Sequence, residues 1–446
     1  MTFSRRSILK STLFGAGLLG LRSLATGIPT KILAKGPIAF ADGTVEACTD
    51  ASKAQFLILA TSGLGDPLNA NAPGTYATTG PLSTIAHNQD PTMKATAVSL
   101  GGVKTTAALP WATPAAMGQL PQYVLDRMAV WHLMTNTPVH PKEPDVLSLM
   151  DTTAPKEMLP SLLGKALGPC LGTIQNQPIT LGANSPSEGL SFSGQALPII
   201  PPLALKATLA NPTGTLAGIT SLQKLRDDTL SQISDIYRRT ATRAQKSYLD
   251  SVITSQMQIR SIDQNLLNAL GGITDNSVAS QITAAVVLIQ MNVTPVVAVH
   301  IPFGGDNHND TGLANEAAQT TSGLASIAML MSQLQTMSNA KGALIDQVSF
   351  ATLNVFGRTI GPANTDGRQH NPNHQVSITI GKAFKPGIIG GVAPVGNDFG
   401  ATAIGTVTPT DTLASFGKTV MKAAGVSDDF IGKVITSGTV IDKALA

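Results

Sequence analysis

The residues of this chain with the clearest chemical potential are two histidine-containing motifs in its C-terminal half. The first is Gly305-Asp306-Asn307-His308, and the second is Arg368-Gln369-His370-Asn371-Pro372-Asn373-His374. An Asp-x-His step in a loop presents a carboxylate oxygen and an imidazole nitrogen to a common ion, a mixed shell that zinc, manganese or iron accepts. Two histidines four residues apart have a metal-binding spacing in a helix, but Pro372 between them argues against a regular helix. The motifs therefore predict a metal site built from loops.

Five apolar runs predict the strands that position such loops. They cover residues 56–60, 128–134, 296–301, 347–356 and 376–380. Short runs rich in apolar residues are typical of strands buried on both faces. Helical patterns at 280–291 and 313–334 alternate with them. The alternation predicts an α/β fold, specifically a three-layer α/β/α sandwich with a largely parallel sheet.

The chemically active side chains follow the predicted strands. In open α/β sheets, ligands bind beyond the carboxyl ends of the strands. We therefore expect the loops after these strands to converge at one edge of the sheet. The candidate residues in those loops are Asp66, His140, Asp306, His308, Arg358, His370 and His374.

The stretch 216–271 breaks the alternation of strands and helices. Its apolar residues fall mostly at steps of three and four, and the pattern stops at the Gly271-Gly272 pair. This spacing predicts two or three consecutive helices. We expect one large domain, residues 42–446, that carries a helical insertion at 216–271.

The N-terminal sequence Ser4-Arg5-Arg6-Ser7-Ile8-Leu9-Lys10 has the pattern of a twin-arginine signal. The apolar stretch 13–24 behind it is interrupted by Arg22, so it is too short and too polar to span a bilayer. Ala39-Phe40-Ala41 is a plausible cleavage site, with Ala34 as an earlier alternative. We expect residues 1–41 to be a signal peptide that sends the protein through the twin-arginine export machinery to the periplasm or beyond. No transmembrane segment is predicted in the mature chain.

The charge balance changes when the signal is removed. Residues 1–41 contain six basic residues and no acidic ones, so the 30 basic and 27 acidic residues of the full chain become 24 and 27. The mature chain is mildly acidic and has no basic stripe interleaved with aromatic residues. Nucleic-acid binding is therefore not predicted.

The chain has two cysteines, Cys48 and Cys170. In an oxidising compartment they can pair and close a long loop, which stabilises a protein by about 4 kcal/mol on the chain-entropy model. Two unpaired buried thiols are the alternative.

The chain resembles a family of twin-arginine-exported proteins of unknown function in the alkaline phosphatase and sulfatase superfamily. The resemblance covers most of the mature chain. Besides the strand at 128–134 and the segment 136–140 after it, the motifs that carry it are Gly65-Asp66-Pro67-Leu68-Asn69, Gly304-Gly305-Asp306-Asn307-His308, Phe356-Gly357-Arg358-Thr359, Gly367-Arg368-Gln369-His370-Asn371-Pro372 and Gly387-Ile388-Ile389-Gly390-Gly391.

The superfamily hydrolyses phosphate or sulfate esters with two metal ions that activate a hydroxyl nucleophile. The resemblance therefore implies one or two divalent ions, zinc or manganese. It implies that Arg358 contacts the site or an anion, and that His140 stands where a Ser-His pair is expected. The metal ligands that it implies are Asp66, Asp306, His308 and His370, with His374 as a further ligand.

Three positions depart from the family pattern. Gln369 replaces an aspartate ligand, which removes a negative charge and places the second ion in doubt. Val355 replaces a glutamate, and Val139 stands where the serine nucleophile is expected. Thr137 is the first substitute nucleophile, with Thr135 or Ser62 as further candidates. The alternative is that these three hydroxyls only cap turns.

Two functions remain open from the sequence. The first is an exported metal-dependent hydrolase of phosphate or sulfate esters. The second is a catalytically degenerate relative that acts as a binding or structural protein in the periplasm or at the cell surface, with one metal ion retained as a structural support.

Overall fold

The computed structural model describes residues 56–446 except 67, 113–119, 155, 172–176, 183–189, 302–305, 340, 363–365 and most of 211–263. The predicted signal peptide and most of the predicted insertion lie outside these residues. The end of the insertion is described: a helix ends at Gly271, as expected from the glycine pair.

Nine helices are described in these ranges. They are α1 (Gln122–Leu125), α2 (Glu143–Leu147), α3 (Leu159–Leu167), α4 (Pro202–Ala210), α5 (Gln264–Gly271), α6 (Val278–Gln290), α7 (Ala314–Thr336), α8 (Thr412–Ala423) and α9 (Asp428–Val434).

The strands comprise one large sheet and five two-stranded pairs. In chain order they are β1 (Phe56–Ser62), β2 (Ala95–Leu100), β3 (Val103–Ala108), β4 (Met128–Leu133), β5 (Ile179–Leu181), β6 (Ser191–Phe192), β7 (Gln195–Ala196), β8 (Ile199–Ile200), β9 (Val296–Val299), β10 (Ser338–Asn339), β11 (Gly342–Ala343), β12 (Val348–Asn354), β13 (Gly357–Arg358), β14 (His370–Asn371), β15 (Gln375–Ile380), β16 (Gly387–Ile389), β17 (Val392–Val395) and β18 (Asp398–Ala401).

The large sheet has eight strands in the order β16-β4-β15-β12-β1-β9-β5-β8. Every neighbouring pair is parallel except the two pairs that involve β15, which runs against both β12 and β4. All five strands predicted from apolar runs are members of this sheet. The prediction of a mixed α/β fold with a largely parallel sheet is confirmed.

Strand β1 shows why the sheet is central. All seven of its residues are buried, because successive side chains point to opposite faces and both faces are covered. Phe56 and Ile58 belong to one hydrophobic cluster, which includes residues of α6 and α7. Leu57 and Leu59 belong to a second cluster, which includes residues of α3 and α8.

The strand directions bring the predicted loops together. Strands β1, β4, β9 and β12 all end at the same edge of the sheet, at Ser62, Leu133, Val299 and Asn354. Strand β15 begins at this edge, because Gln375 pairs with Leu133. The loops after four strands and before a fifth therefore meet there, as expected.

The structure describes one of the two cysteines. Cys170 takes part in a disulfide bond, so the alternative of an unpaired thiol does not hold for it. Cys48 lies outside the described residues.

Within the part of the chain that the structure covers, no helix has both the length and the apolarity needed to span a bilayer.

Candidate metal centre

Three side chains at the carboxyl edge form a group that can hold a metal ion. They are His140, Asp306 and His370, and one ligand atom of each lies within 4.8 Å of the others. Both histidines are half-buried, while the Asp306 side chain is 57% exposed. Two imidazoles and one carboxylate suit zinc, manganese or iron.

Backbone carbonyls fix the orientation of both imidazoles. Nδ1 of His140 lies 2.7 Å from the Gly63 carbonyl oxygen, and Nδ1 of His370 lies 2.6 Å from that of Pro138. A carbonyl oxygen only accepts hydrogen bonds, so each Nδ1 donates a proton there. In the neutral form of such a ring the lone pair is on Nε2, and this is the tautomer that binds a metal through Nε2.

His308 lies beside this group with the same tautomer. Its Nδ1 is 2.7 Å from Oε1 of the Gln369 amide, so Nδ1 donates there as well. Its Nε2 lies 3.0 Å from Nε2 of His370 and 3.2 Å from Oδ1 of Asp306. His308 therefore borders the group of three through His370 and Asp306, although it is not itself one of the three residues.

Phe356 supports the imidazoles from below. This fully buried ring stacks on His370 at a centroid distance of 4.1 Å and contacts the edge of His140 at 4.8 Å. It also packs against Gly65, where an added Cβ would lie 2.8 Å from the ring and the backbone φ is +98°. Only glycine fits that conformation and that space, so Gly65 lets the loop after β1 close over Phe356.

Arg358 is buried beneath Asp306 and donates to three oxygens. Its Nη1 lies 3.5 Å from Oδ1 of Asp306 and 3.4 Å from the Arg368 carbonyl oxygen, and its Nη2 lies 2.6 Å from that of Leu64. Burial lowers the pKa of the guanidinium, and Asp306 partly offsets this effect. The contacts fit the expected role of holding site residues in place.

The surroundings keep His370 in its neutral form. Burial lowers its pKa, and the positive charge of Arg358 and the neighbouring histidines His140 and His308 lower it further. A neutral imidazole is the form that binds a metal ion.

The two histidine motifs are joined through their backbones. The amide of Arg368 donates to the Asn307 carbonyl at 2.7 Å, and the amide of Asp310 donates to that of Asp366 at 3.1 Å. Gly367 makes this approach possible, because its φ is +134° and an added Cβ would lie 2.2 Å from the His308 carbonyl oxygen. Asp306 and His370 therefore face each other as a result of local backbone pairing.

Arg368 and Glu316 form a buried ion pair that sequence reasoning missed. Each side chain is 1% exposed, and Nε of Arg368 donates to the Glu316 carboxylate. The guanidinium also donates to the Thr359 carbonyl at 2.9 Å, which fixes the loop after β13 to the start of α7. The partners are 52 positions apart, and no spacing in the sequence connects them.

Asp66 does not have the expected place. It is fully buried, and its two carboxylate oxygens accept from the backbone amides of Leu68 and Val376. Burial raises its pKa to about 7, against the opposing effect of these two hydrogen bonds. Asp66 ties the loop after β1 to strand β15 and lies outside the group of three possible ligands, so the structure does not bring it together with Asp306 and His370 as expected.

His374 also lies apart from the group. It is fully buried and stacks on His132 with an interplanar angle of 13°, and its Nε2 lies 2.9 Å from Nδ1 of His132. Because its Nε2 is engaged there, His374 is not brought together with Asp306 and His370 as expected. His132, in strand β4, is likewise fully buried.

The predicted nucleophile loop presents no hydroxyl in the expected position. Thr137 is only 5% exposed, whereas Val139, directly before His140, is 46% exposed. Asn136 holds the loop against the second motif, because its amide donates to the Pro372 carbonyl at 2.9 Å.

Comparison with family models, with curated proteins and with solved structures finds no match for this chain. The geometry and chemistry of the metal centre are therefore the basis for inferring function.

Proposed function

We propose that this protein is an exported metal-dependent hydrolase of phosphate or sulfate esters, with one ion held by His140, Asp306 and His370. The observation that carries the proposal is the convergence of these ligands from three loops at the carboxyl edge of the sheet. The fold supports it as well, because helices covering both faces of the sheet are compatible with an alkaline phosphatase-like three-layer sandwich. The twin-arginine pattern supports export of the folded protein.

The residues present fit a divalent ion such as zinc or manganese. Each histidine has its Nδ1 proton committed to a carbonyl oxygen, which leaves Nε2 as the nitrogen that can bind the ion. When bound, the ion supplies positive charge that attracts and polarises an ester oxygen. Arg358 holds Asp306 in place, and Phe356 holds both rings.

A second candidate is a non-catalytic exported protein that binds a metal ion. The observation that favours it is the loop before His140, where the exposed Val139 stands at the nucleophile position and Thr137 is buried. Such a protein keeps the ligands without the covalent step.

Two measurements on the purified exported protein test these functions. The first is its content of zinc and manganese, expected near one equivalent and lowered at least ~10-fold by Asp306→Asn. Asp126→Asn, an exposed change just before β4, is the matched control. The second is hydrolysis of 4-nitrophenyl phosphate and 4-nitrophenyl sulfate, expected to fall at least ~100-fold in Asp306→Asn but not in the control.

The outcomes separate the candidates. A wild-type protein with less than about a tenth of an equivalent of metal contradicts both functions. A protein that binds metal but hydrolyses neither ester contradicts the hydrolase and leaves the non-catalytic protein.

A further inference from the structure

Gln369 occupies the position at which the family resemblance implies an aspartate ligand. In the structure its amide oxygen faces the ring of His308, 2.7 Å from Nδ1. The backbone of Gln369 is fixed by Thr359: the Thr359 amide donates to the Gln369 carbonyl, and the Gln369 amide donates to the Thr359 hydroxyl, both at 2.9 Å. The side chain is therefore anchored and points at the histidine.

This contact determines which nitrogen of His308 is available. An amide oxygen only accepts hydrogen bonds, so Nδ1 of His308 carries a proton, and in the neutral, metal-binding form of the ring the lone pair is on Nε2. Nε2 of His370 also carries a lone pair, because its own Nδ1 donates to Pro138. When both rings are neutral, these two Nε2 lone pairs lie 3.0 Å apart and repel each other, and a metal ion bound by both rings removes that repulsion.

The residues expected to complete a second ion site are engaged elsewhere. Both oxygens of Asp66 accept from backbone amides, and Nε2 of His374 contacts His132. In the described ranges, one group of His, Cys, Asp and Glu side chains has ligand atoms close enough for an ion, and it consists of His140, Asp306 and His370. His308 lies next to it, with Nε2 at 3.0 Å from His370 Nε2 and 3.2 Å from Asp306 Oδ1.

We propose that Gln369 is a positioning residue that commits His308 to the same ion as His140, Asp306 and His370, so that the centre holds a single ion and not a pair. This inference rests on the proposed metal centre. In the family pattern an aspartate at this position is a ligand of a second ion. Here the neutral amide of Gln369 instead accepts a hydrogen bond from His308 and so orients a ligand of the first ion. The centre has four ligand side chains and one negative charge.

The test is titration of the metal-stripped, exported protein with zinc, which reports both the number of ions and the dissociation constant. Gln369→Leu removes the acceptor at similar volume, and Gln369→Glu retains an acceptor oxygen at the same reach. Gln122→Leu is the matched control, since this exposed glutamine lies near the amino end of β4, at the opposite edge of the sheet.

We expect one zinc ion per chain in the wild type. Gln369→Leu should weaken binding by ~10- to 100-fold, as removal of a partner behind a metal-binding histidine does, while Gln369→Glu and the control keep the wild-type affinity. If Gln369 acts through His308, the double variant Gln369→Leu/His308→Ala should bind no more weakly than His308→Ala alone.

Other results overturn the inference. Two ions per chain, or unchanged affinity in Gln369→Leu, refutes it and leaves the proposed metal centre in place. Additive losses in the double variant show that Gln369 acts independently of His308 and also refute it. A wild-type protein that binds no zinc or manganese refutes the proposed function together with this inference.

Discussion

Two pairs of histidines in this protein have nearly the same nitrogen-to-nitrogen distance but different chemistry. In the core, Nδ1 of His132 lies 2.9 Å from Nε2 of His374. At the edge, Nε2 of His308 lies 3.0 Å from Nε2 of His370. The two pairs differ in which ring nitrogens carry the protons.

In the core pair every short contact has a donor and an acceptor. Nε2 of His132 lies 2.9 Å from the Pro73 carbonyl, so that nitrogen donates and Nδ1 of His132 accepts from His374. In the edge pair both Nδ1 protons point away from the contact, so two acceptors meet when both rings are neutral. A hydrogen bond between the two rings makes the core pair a structural element, whereas two opposed acceptors are suited to binding a metal ion together.

The largest expected effect distinguishes the pairs by metal affinity. His370→Ala removes a ligand, so zinc binding should weaken by more than the ~10- to 100-fold typical of outer partners. His132→Ala should leave the affinity unchanged. Equal losses in the two variants, measured by zinc titration, would show that the core pair also belongs to the centre.

The stability of the metal-free protein should depend more on the core pair than on the edge pair. His132→Ala removes a fully buried ring and leaves the Pro73 carbonyl and Nε2 of His374 without their partner, so it should cost about 3 kcal/mol. His308→Ala, at the partly exposed edge, should cost less than about 1 kcal/mol in the absence of metal. Urea denaturation of both metal-free variants measures the difference, and a larger loss in His308→Ala would contradict the assignment.

Zinc should stabilise only those variants that retain the ligands at the edge of the sheet. At a free zinc concentration 100 times the dissociation constant, the free energy of unfolding should rise by about 2.7 kcal/mol. The same increase is expected in His132→Ala, because the two pairs act independently. At that zinc concentration His370→Ala should show little increase. If His132→Ala loses the zinc-dependent increase, the pairs are coupled.

The smallest expected effect is an acid response of the core pair. Burial lowers the pKa of His132 to about 4, and burial and the nearby His132 lower the pKa of His374 well below its usual value. Unfolded histidines bind protons below about pH 6.5, so the unfolded state gains protons first and stability falls as the pH drops from 6.5 towards 4. Between pH 7 and 5.5 we expect this pair alone to lower the stability of the metal-free protein by about 2 kcal/mol, whereas Asp66, whose pKa burial raises to about 7, acts in the opposite direction.

The control for this response is His132→Ala, which lacks half of the pair. Its stability should vary less between pH 7 and 5.5 than that of the wild type when both are measured with a chelator present. An identical pH dependence in the two proteins would show that other groups cause the acid response.

The sequence predicted the strands and the edge well, because both depend on local patterns. Apolar runs identify buried strands, and residues that follow such strands lie at the carboxyl edge whatever the details of the loop. Asp306 and His370 were predicted as ligands in this way, whereas His140 was predicted as a residue of the nucleophile loop and not as a ligand. All three residues lie in or next to loops at this edge, and no backbone group among the described residues forms a hydrogen bond with the side-chain atom that would bind the ion.

The roles of Asp66 and His374 could not be predicted from position alone. Both lie at the same edge, but nearby groups capture them: the amides of Leu68 and Val376 for Asp66, and the ring of His132 for His374. Buried polar groups require partners, and which partner lies nearest depends on the register between strands that are distant in sequence. The Arg368–Glu316 ion pair is hidden from sequence reasoning for the same reason.

The close approach of Gly367 to the His308 carbonyl has a consequence for how the centre is assembled. Since backbone pairing brings the two motifs side by side, Asp306 and His370 are held close together without an ion, and binding of an ion by these two residues requires little ordering of the chain. A methyl group at position 367 would clash with the His308 carbonyl and force the two loops apart, so the absence of a side chain there is needed to keep these two ligands within reach of one ion.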